Sequence, residues 1–168
     1  MAWVDGSAST SALPWSRESE DVLHHTVTCD SAVLALAVDD VRGRMLVGTQ
    51  QGDIRVWHLP TFEVQADLVG HRSSVLSLVL SDDYVFSASS DSTVRVWDAE
   101  TLQPCACVFP ASTNTGDIYS LAWDAKAQVL YMGCQDTSIE WISITRARLH
   151  EAASEPLWPT ATSYDKFF

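Results

Sequence analysis

Between Gly70 and Asp98, apolar and polar positions alternate in three short runs separated by polar turns. The first run is Val75 to Leu80, the second Tyr84 to Ala88, and the third begins at Val94. Alternation with period two is the mark of a strand. Both alternating sets of the first run (Val75, Ser77, Val79 and Leu76, Leu78, Leu80) are mostly apolar, which predicts a strand covered on both faces. Ser81-Asp82-Asp83 and Ser90-Asp91-Ser92 supply the turns, because Asp and Ser side chains bond the nearby backbone.

The same pattern recurs more weakly on either side. A first repeat spans about residues 32–69, with strands predicted at Ala32–Val38, Met45–Thr49, Ile54–Leu59 and Phe62–Leu68. The reference repeat, about 70–109, ends in an outer strand from Leu102 to Phe109, where Pro104 marks an edge. A third, about 117–144, holds strands at Ile118–Trp123 and Val129–Cys134, and its Asp136–Ile142 aligns with Asp91–Trp97. Trp57 and Trp97 lie 40 positions apart, and Val33 and Val75 lie 42 apart. A near-constant period of this length marks an internal repeat. Residues 1–21 read as a disordered polar leader, Val22–Thr28 as a lone strand, and 145–168 as a linker or truncated continuation with a short helix at Ala147–Glu155.

If the strands of the reference repeat pack together, four polar groups need partners: His71, Ser89, Asp91 and Trp97. A buried indole N–H or carboxylate left unpaired costs about 1–3 kcal/mol or more, so a network Asp91–His71–Ser89–Trp97 is expected. Gly70-His71 followed by Trp97-Asp98 resembles the signature of the WD-repeat (WD40) family, whose GH…WD units build the blades of β-propellers. The resemblance implies a Trp–Ser/Thr–His–Asp tetrad that stitches each blade. The expected fold is therefore all-β: a partial WD40 propeller of about three four-stranded blades over residues 22–144, an incomplete ring.

The other repeats depart from the pattern. In the first, Gln51 replaces the turn Asp, His58 the closing Asp, and Cys29 stands where His belongs. In the third, Ile142 occupies the tetrad Trp position and Trp141 the one before it, so Trp123 and Trp141 become core or interface aromatics. Arg55 and Arg95 recur at one place in their repeats and read as solvated strand positions. The turns Val41–Arg44, Ser81–Asp83 and Ser112–Asp117 read as contact-presenting loops.

Other chemistry narrows the function classes. Ser89, His71 and Asp91 are also the residue types of a hydrolase triad, but no GxSxG elbow or Gly-rich oxyanion segment accompanies them. No catalytic residue is therefore assigned and no cofactor is expected. Cys29, Cys105, Cys107 and Cys134 form no CxxC or zinc-finger spacing, and adjacent His24 and His25 would point to opposite faces of a strand, so no metal site is assigned. Ten basic against 22 acidic residues give a net charge of −12, which opposes binding to nucleic acid or anionic lipid. No apolar run reaches the roughly 18–20 residues of a membrane span, and the N-terminus lacks the basic and apolar regions of a signal peptide. The expected class is a non-catalytic, cytoplasmic scaffold that binds protein partners.

A narrower resemblance rests on LYMGCQDTSIEW (Leu130–Trp141) and YDKFF (Tyr164–Phe168). These are similar to the WD-repeat N-terminal region of a fungal two-part protein that joins a propeller to a metallopeptidase-like domain in the cytosolic glutathione-degrading complex. The resemblance implies that this chain assembles or regulates such a complex with other peptidase subunits as partners. It also implies that a metallopeptidase domain follows residue 168 and that no catalytic residue lies within 1–168. Three repeats fall short of the roughly four to eight that close a ring, which is the expectation for part of a larger protein or for copies that assemble.

Overall fold

The computed structural model describes residues 26–108, 110 and 115–145. They form eleven strands and no helix. The first sheet contains β1 (Val33–Asp39), β2 (Arg44–Thr49), β3 (Ile54–His58) and β4 (Glu63–Leu68). The middle sheet contains β5 (Val75–Leu80), β6 (Tyr84–Ser89), β7 (Val94–Asp98) and β8 (Pro104–Val108). The third contains β9 (Ile118–Asp124), β10 (Val129–Cys134) and β11 (Ile139–Ser143). Every sheet is an antiparallel meander in chain order, so each predicted strand of the three repeats is present within a residue or two. The third sheet has three described strands where four were expected. Residues 26–28 are described and are not in a strand, while 1–25 and 146–168, with the leader, His24, His25 and the helix at Ala147–Glu155, lie outside the described residues.

The registers repeat from sheet to sheet. Val85 pairs with Trp97 in the middle sheet, Met45 with Trp57 in the first and Leu130 with Ile142 in the third. Ile142 thus holds the position of Trp97, as the alignment of the repeats predicts. Each sheet's first strand carries a register shift near its start, at Val33/Ala35, Val75/Ser77 and opposite Gly133/Cys134.

The core consists of two layers between neighbouring sheets. Leu46, Ile54, Val56 and Leu68 of the first sheet meet Val75, Leu78, Val85 and Trp97 of the middle one. Phe86, Val94, Val96 and Ala106 on the other face of the middle sheet meet Ile118, Leu130, Met132 and Cys134 of the third. Trp123 enters this second layer, its ring centroid 5.0 Å from that of Phe86. The middle sheet is therefore apolar on both faces, as the two alternating sets of Val75–Leu80 require. The approach is close at Gly48, where a Cβ would lie 2.6 Å from Val75 Cγ1.

Polar bonds tie the sheets along their rims. Arg42, on the β1–β2 turn, bonds Glu100 at 2.9 Å and the Asp82 carbonyl at 2.8 Å on the middle sheet. Arg44 is buried, pairs with buried Asp39 at 3.0 Å, and also donates to the Ala99 carbonyl across the sheet boundary. On the other side, the Leu121 amide donates to Ser77 Oγ at 3.1 Å. The turns Val41–Arg44 and Ser81–Asp83, expected to present contacts, touch each other.

Candidate functional site

The polar centre of the molecule lies in the middle sheet. His71 precedes β5, Ser87 lies in the middle of β6, Asp91 in the β6–β7 turn and Trp97 near the end of β7. Trp97 Nε1 donates to Ser87 Oγ at 2.9 Å. Ser87 Oγ lies 2.8 Å from His71 Nε2, and His71 Nδ1 lies 3.0 Å from Asp91 Oδ2. A carboxylate only accepts, so Nδ1–H donates to Asp91. The line of bonds runs from Trp97 through Ser87 and His71 to Asp91.

Here the structure corrects the expected network: Ser87, not Ser89, joins Trp97 to His71. Ser89 Oγ donates instead to the Ser73 carbonyl at 3.0 Å and accepts from the Asp91 amide at 3.0 Å, serving the turn. Distance along the strand decides between the two serines. Trp97 sits opposite Val85, and at about 3.3 Å per residue Ser87 is ~7 Å along that face while Ser89 is ~13 Å along it. Only Ser87 is within reach of the indole. The register was available from the hairpin itself, since a turn centred on Asp91 sets position 85 opposite 97.

Asp91 is the anchor of the network. Its Oδ1 accepts from the Thr93 amide at 3.0 Å and the Thr93 hydroxyl at 2.6 Å, and its Oδ2 also accepts from the Arg72 amide at 2.8 Å. Burial pushes its carboxyl up, but the bonds from His71 and Thr93 and the neighbouring ring outweigh that and hold it well below the usual carboxylate range. Gly70 and Arg95 explain each other. Arg95 was expected to be a solvated strand position, yet it is buried under the chain at Gly70, where a Cβ would come 2.9 Å from its Nη1. A side chain at position 70 would meet the far end of Arg95, which would have to shift.

Ser87, His71 and Asp91 do have the connectivity of a hydrolase triad, but the serine is fully buried and its oxygen already accepts the Trp97 N–H. No substrate atom can reach it, and the arrangement is a structural tie. The cysteines are free thiols. Burial, first among the causes, pushes Cys105, Cys107 and Cys134 up, with Arg95 opposing at Cys107. They are therefore weak nucleophiles at neutral pH. Among the described residues no group of three or more His, Cys, Asp or Glu is placed to hold a metal ion.

The first sheet shows what the tie replaces. Val47 stands at the Ser87 position, and the buried Trp57 Nε1 has no hydrogen-bond partner among the described residues. Cys29 stands at the His71 position beside a cavity of about 30 Å3 bordered by Thr49, Gln51 and Asp53. The closing position is conserved in role rather than in residue: His58 Nδ1 meets Thr61 Oγ1 at 3.0 Å, where Asp98 accepts from Thr101 Oγ1 at 2.9 Å. In the third sheet Asp136 keeps its turn bonds to Ser138, at 3.0 and 2.6 Å, but Met132 and Ile142 fill the serine and tryptophan positions.

The remaining candidate surface is apolar. On the outer face of the third sheet, Ile139 is 70% and Trp141 is 67% exposed, whereas the equivalent Val94 and Val96 of the middle sheet are 0% exposed. On the outer face of the first sheet, Leu36 and Val38 are exposed, whereas the equivalent Leu78 is buried and Leu80 is partly buried against the first sheet.

Three consecutive four-strand-type meanders packed face to face, with one complete Trp–Ser–His–Asp tie, define a partial WD40 propeller. Residues 62–98 match the family described as WD domain, G-beta repeat. Residues 62–98 are therefore a WD40 repeat. It is 42% identical over 88 residues to the zinc finger CCCH domain-containing protein 17 of Oryza sativa, covering 50% of this chain and 19% of that protein. It is 27% identical over 160 residues to the probable di- and tripeptidase DUG2 of Saccharomyces cerevisiae, covering 82% of this chain and 18% of that protein. It is 32% identical over 112 residues to the cell division control protein 4 of Candida albicans, covering 56% and 16%. Among solved structures, the computationally designed Ika8 protein matches with a TM-score of 0.57 at 29% identity, covering 67% of this chain and 33% of that one. The chain thus spans less than a fifth of the length of each of these natural relatives.

Proposed function

We propose that this chain is the non-catalytic WD40 assembly module of a cytoplasmic peptidase complex that degrades small peptides, glutathione among them. One observation carries the reading. The likeness to the probable di- and tripeptidase runs over 82% of the chain, well beyond the one repeat that matches the WD40 family. The rice and Candida relatives cover 50% and 56% of it. In this role the sheets offer docking surface and the peptidase chemistry belongs to other parts of the assembly. Nothing in the tie of His71, Ser87, Asp91 and Trp97 is spent on turnover.

The test is to tag the protein in its source, capture it from fractionated extract, and identify what comes with it by mass spectrometry. The captured material is then assayed for release of amino acids from glutathione and from a dipeptide. The expected result is a cytosolic complex that contains a peptidase subunit and hydrolyses both. Capture with no peptidase and no hydrolysis overturns the reading in favour of a WD-repeat adaptor of another complex.

A further inference from the structure

The first sheet has its own version of the place that His71 takes in the middle sheet, and it is built from different chemistry. Half-buried Cys29 stands there, with Gln51 at the Asp91 position and Val47 at the Ser87 position. A thiol is smaller than an imidazole, and a cavity of about 30 Å3 lies beside it. The wall of this cavity is polar, with Thr49, Gln51, Asp53 and Arg55 on it beside Cys29. Thr49 is only 5% exposed, and its buried Oγ1 has no hydrogen-bond partner among the described residues. A buried hydroxyl without a partner costs free energy, so a polar atom in the cavity is favoured there. Arg55, held by Asp67 at 2.8 Å and by Asp30 at 3.2 Å, brings N–H donors to the same wall.

We propose that Cys29 is a site of reversible oxidation by a neutral hydroperoxide, and that the cavity seats the oxygen it gains. Size selects the oxidant. A water needs roughly 10–15 Å3 of such space, so about 30 Å3 takes two oxygen atoms and excludes a bulky disulfide. Charge selects in the same direction, because Asp30 and Asp53 line the cavity and disfavour an anionic reagent. In the step, the thiolate sulfur attacks one peroxide oxygen, and the S–O bond forms as the O–O bond breaks. The sulfur loses two electrons and the peroxide gains them. The departing oxygen takes up the proton that the thiol released, and leaves as water when the oxidant is hydrogen peroxide. The sulfenic acid is reversible: it condenses with a free thiol, losing water, and a second thiol then releases Cys29. Its oxygen gives the Thr49 hydroxyl a partner. The other three thiols compete poorly, since burial pushes each of them up and lowers the share of reactive thiolate.

The experiment uses the protein captured whole from its source. It is exposed to a stoichiometric amount of hydrogen peroxide and then to dimedone, which labels sulfenic acids, and its peptides are read by mass spectrometry. Cys29 is expected to carry at least about tenfold more label than Cys105, Cys107 or Cys134. Label spread evenly over the four, or absent from Cys29, overturns the proposal. Glutathione disulfide is the second probe and needs no variant. It is expected to leave Cys29 unmodified where hydrogen peroxide labels it, and equal reaction with both overturns the selection by the cavity. Thr49→Val keeps the branched shape and removes the hydroxyl. It is expected to lower the Cys29 label by about threefold or more, the worth of one hydrogen bond. An unchanged or higher label in that variant overturns the seat proposed for the oxygen.

Discussion

The indole of Trp97 donates to the hydroxyl of Ser87 at 2.9 Å, and this one bond separates the middle sheet from its neighbours. It places a hydroxyl between an indole and an imidazole, with every donor and acceptor of the line used. Ser87→Ala leaves two buried groups, Trp97 Nε1 and His71 Nε2, without that partner, which costs about 2–3 kcal/mol. Ser89→Ala removes a neutral bond to a turn carbonyl and costs about 1 kcal/mol. Urea denaturation of the two variants is expected to rank Ser87→Ala as clearly the weaker protein. The reverse order would return Ser89 to the tie.

How much of this was legible in the sequence follows from the same two serines. Strand content and the repeat are written in period-two alternation and in the 40-position spacing of Trp57 and Trp97, both local counts. Ser87 and Ser89 lie on the same face of one strand, so alternation cannot choose between them; the pairing register does. Arg95 shows a second limit. Its charge reads as a surface residue, and its burial arises from Gly70 and β8 passing over it, a contact from outside its own hairpin. The open faces were legible only as a shortage of repeats. The residues on them, Leu36 and Trp141, resemble core residues because their equivalents in the middle sheet are core residues.

The first sheet has Val47 in place of the serine, and Trp57 Nε1 is buried with no hydrogen-bond partner among the described residues. Val47→Thr keeps one methyl and the branched shape while setting a hydroxyl where the middle sheet has one. It is expected to raise stability by about 0.5–1 kcal/mol, the net worth of a hydrogen bond. The gain should vanish when Trp57 is also changed to Phe, which has no N–H to pair. Thermal unfolding of the four combinations measures this directly, and a stabilising effect that persists with Phe would assign the gain elsewhere.

Asp91 makes the molecule sensitive to acid. Its carboxyl in the folded chain lies below its ordinary value of 3.8, so folding favours the ionised form. A depressed carboxyl contributes stability in full above its unfolded value and loses it as pH falls toward the folded one. Stability should therefore decline as pH drops below about 4, by up to ~1.4 kcal/mol per pH unit for this single group. Asp91→Asn is expected to be weaker at pH 7 and to show a shallower decline in that acid range. Urea midpoints measured from pH 7 to 3 check both, and parallel curves for parent and variant would remove Asp91 as the cause.

Arg42 and Arg44 lie two residues apart on one rim and should behave differently. Arg44 and Asp39 are both buried and 3.0 Å apart, and Arg44 also reaches the Ala99 carbonyl of the middle sheet. Removing one member of a buried pair strands the other, so Arg44→Met is expected to cost about 3 kcal/mol, with Arg42 still on Asp39 keeping the cost near the lower end. Arg42 spans to Glu100 at 2.9 Å, but that carboxylate is largely exposed. Water and salt screen such a pair, so Arg42→Ala is expected to cost no more than about 1 kcal/mol and to cost less as salt is raised. The loss at Arg44 should change little with salt. Denaturation of both variants at low and high ionic strength separates the cases, and a salt-sensitive loss at Arg44 would mean that water reaches the buried pair.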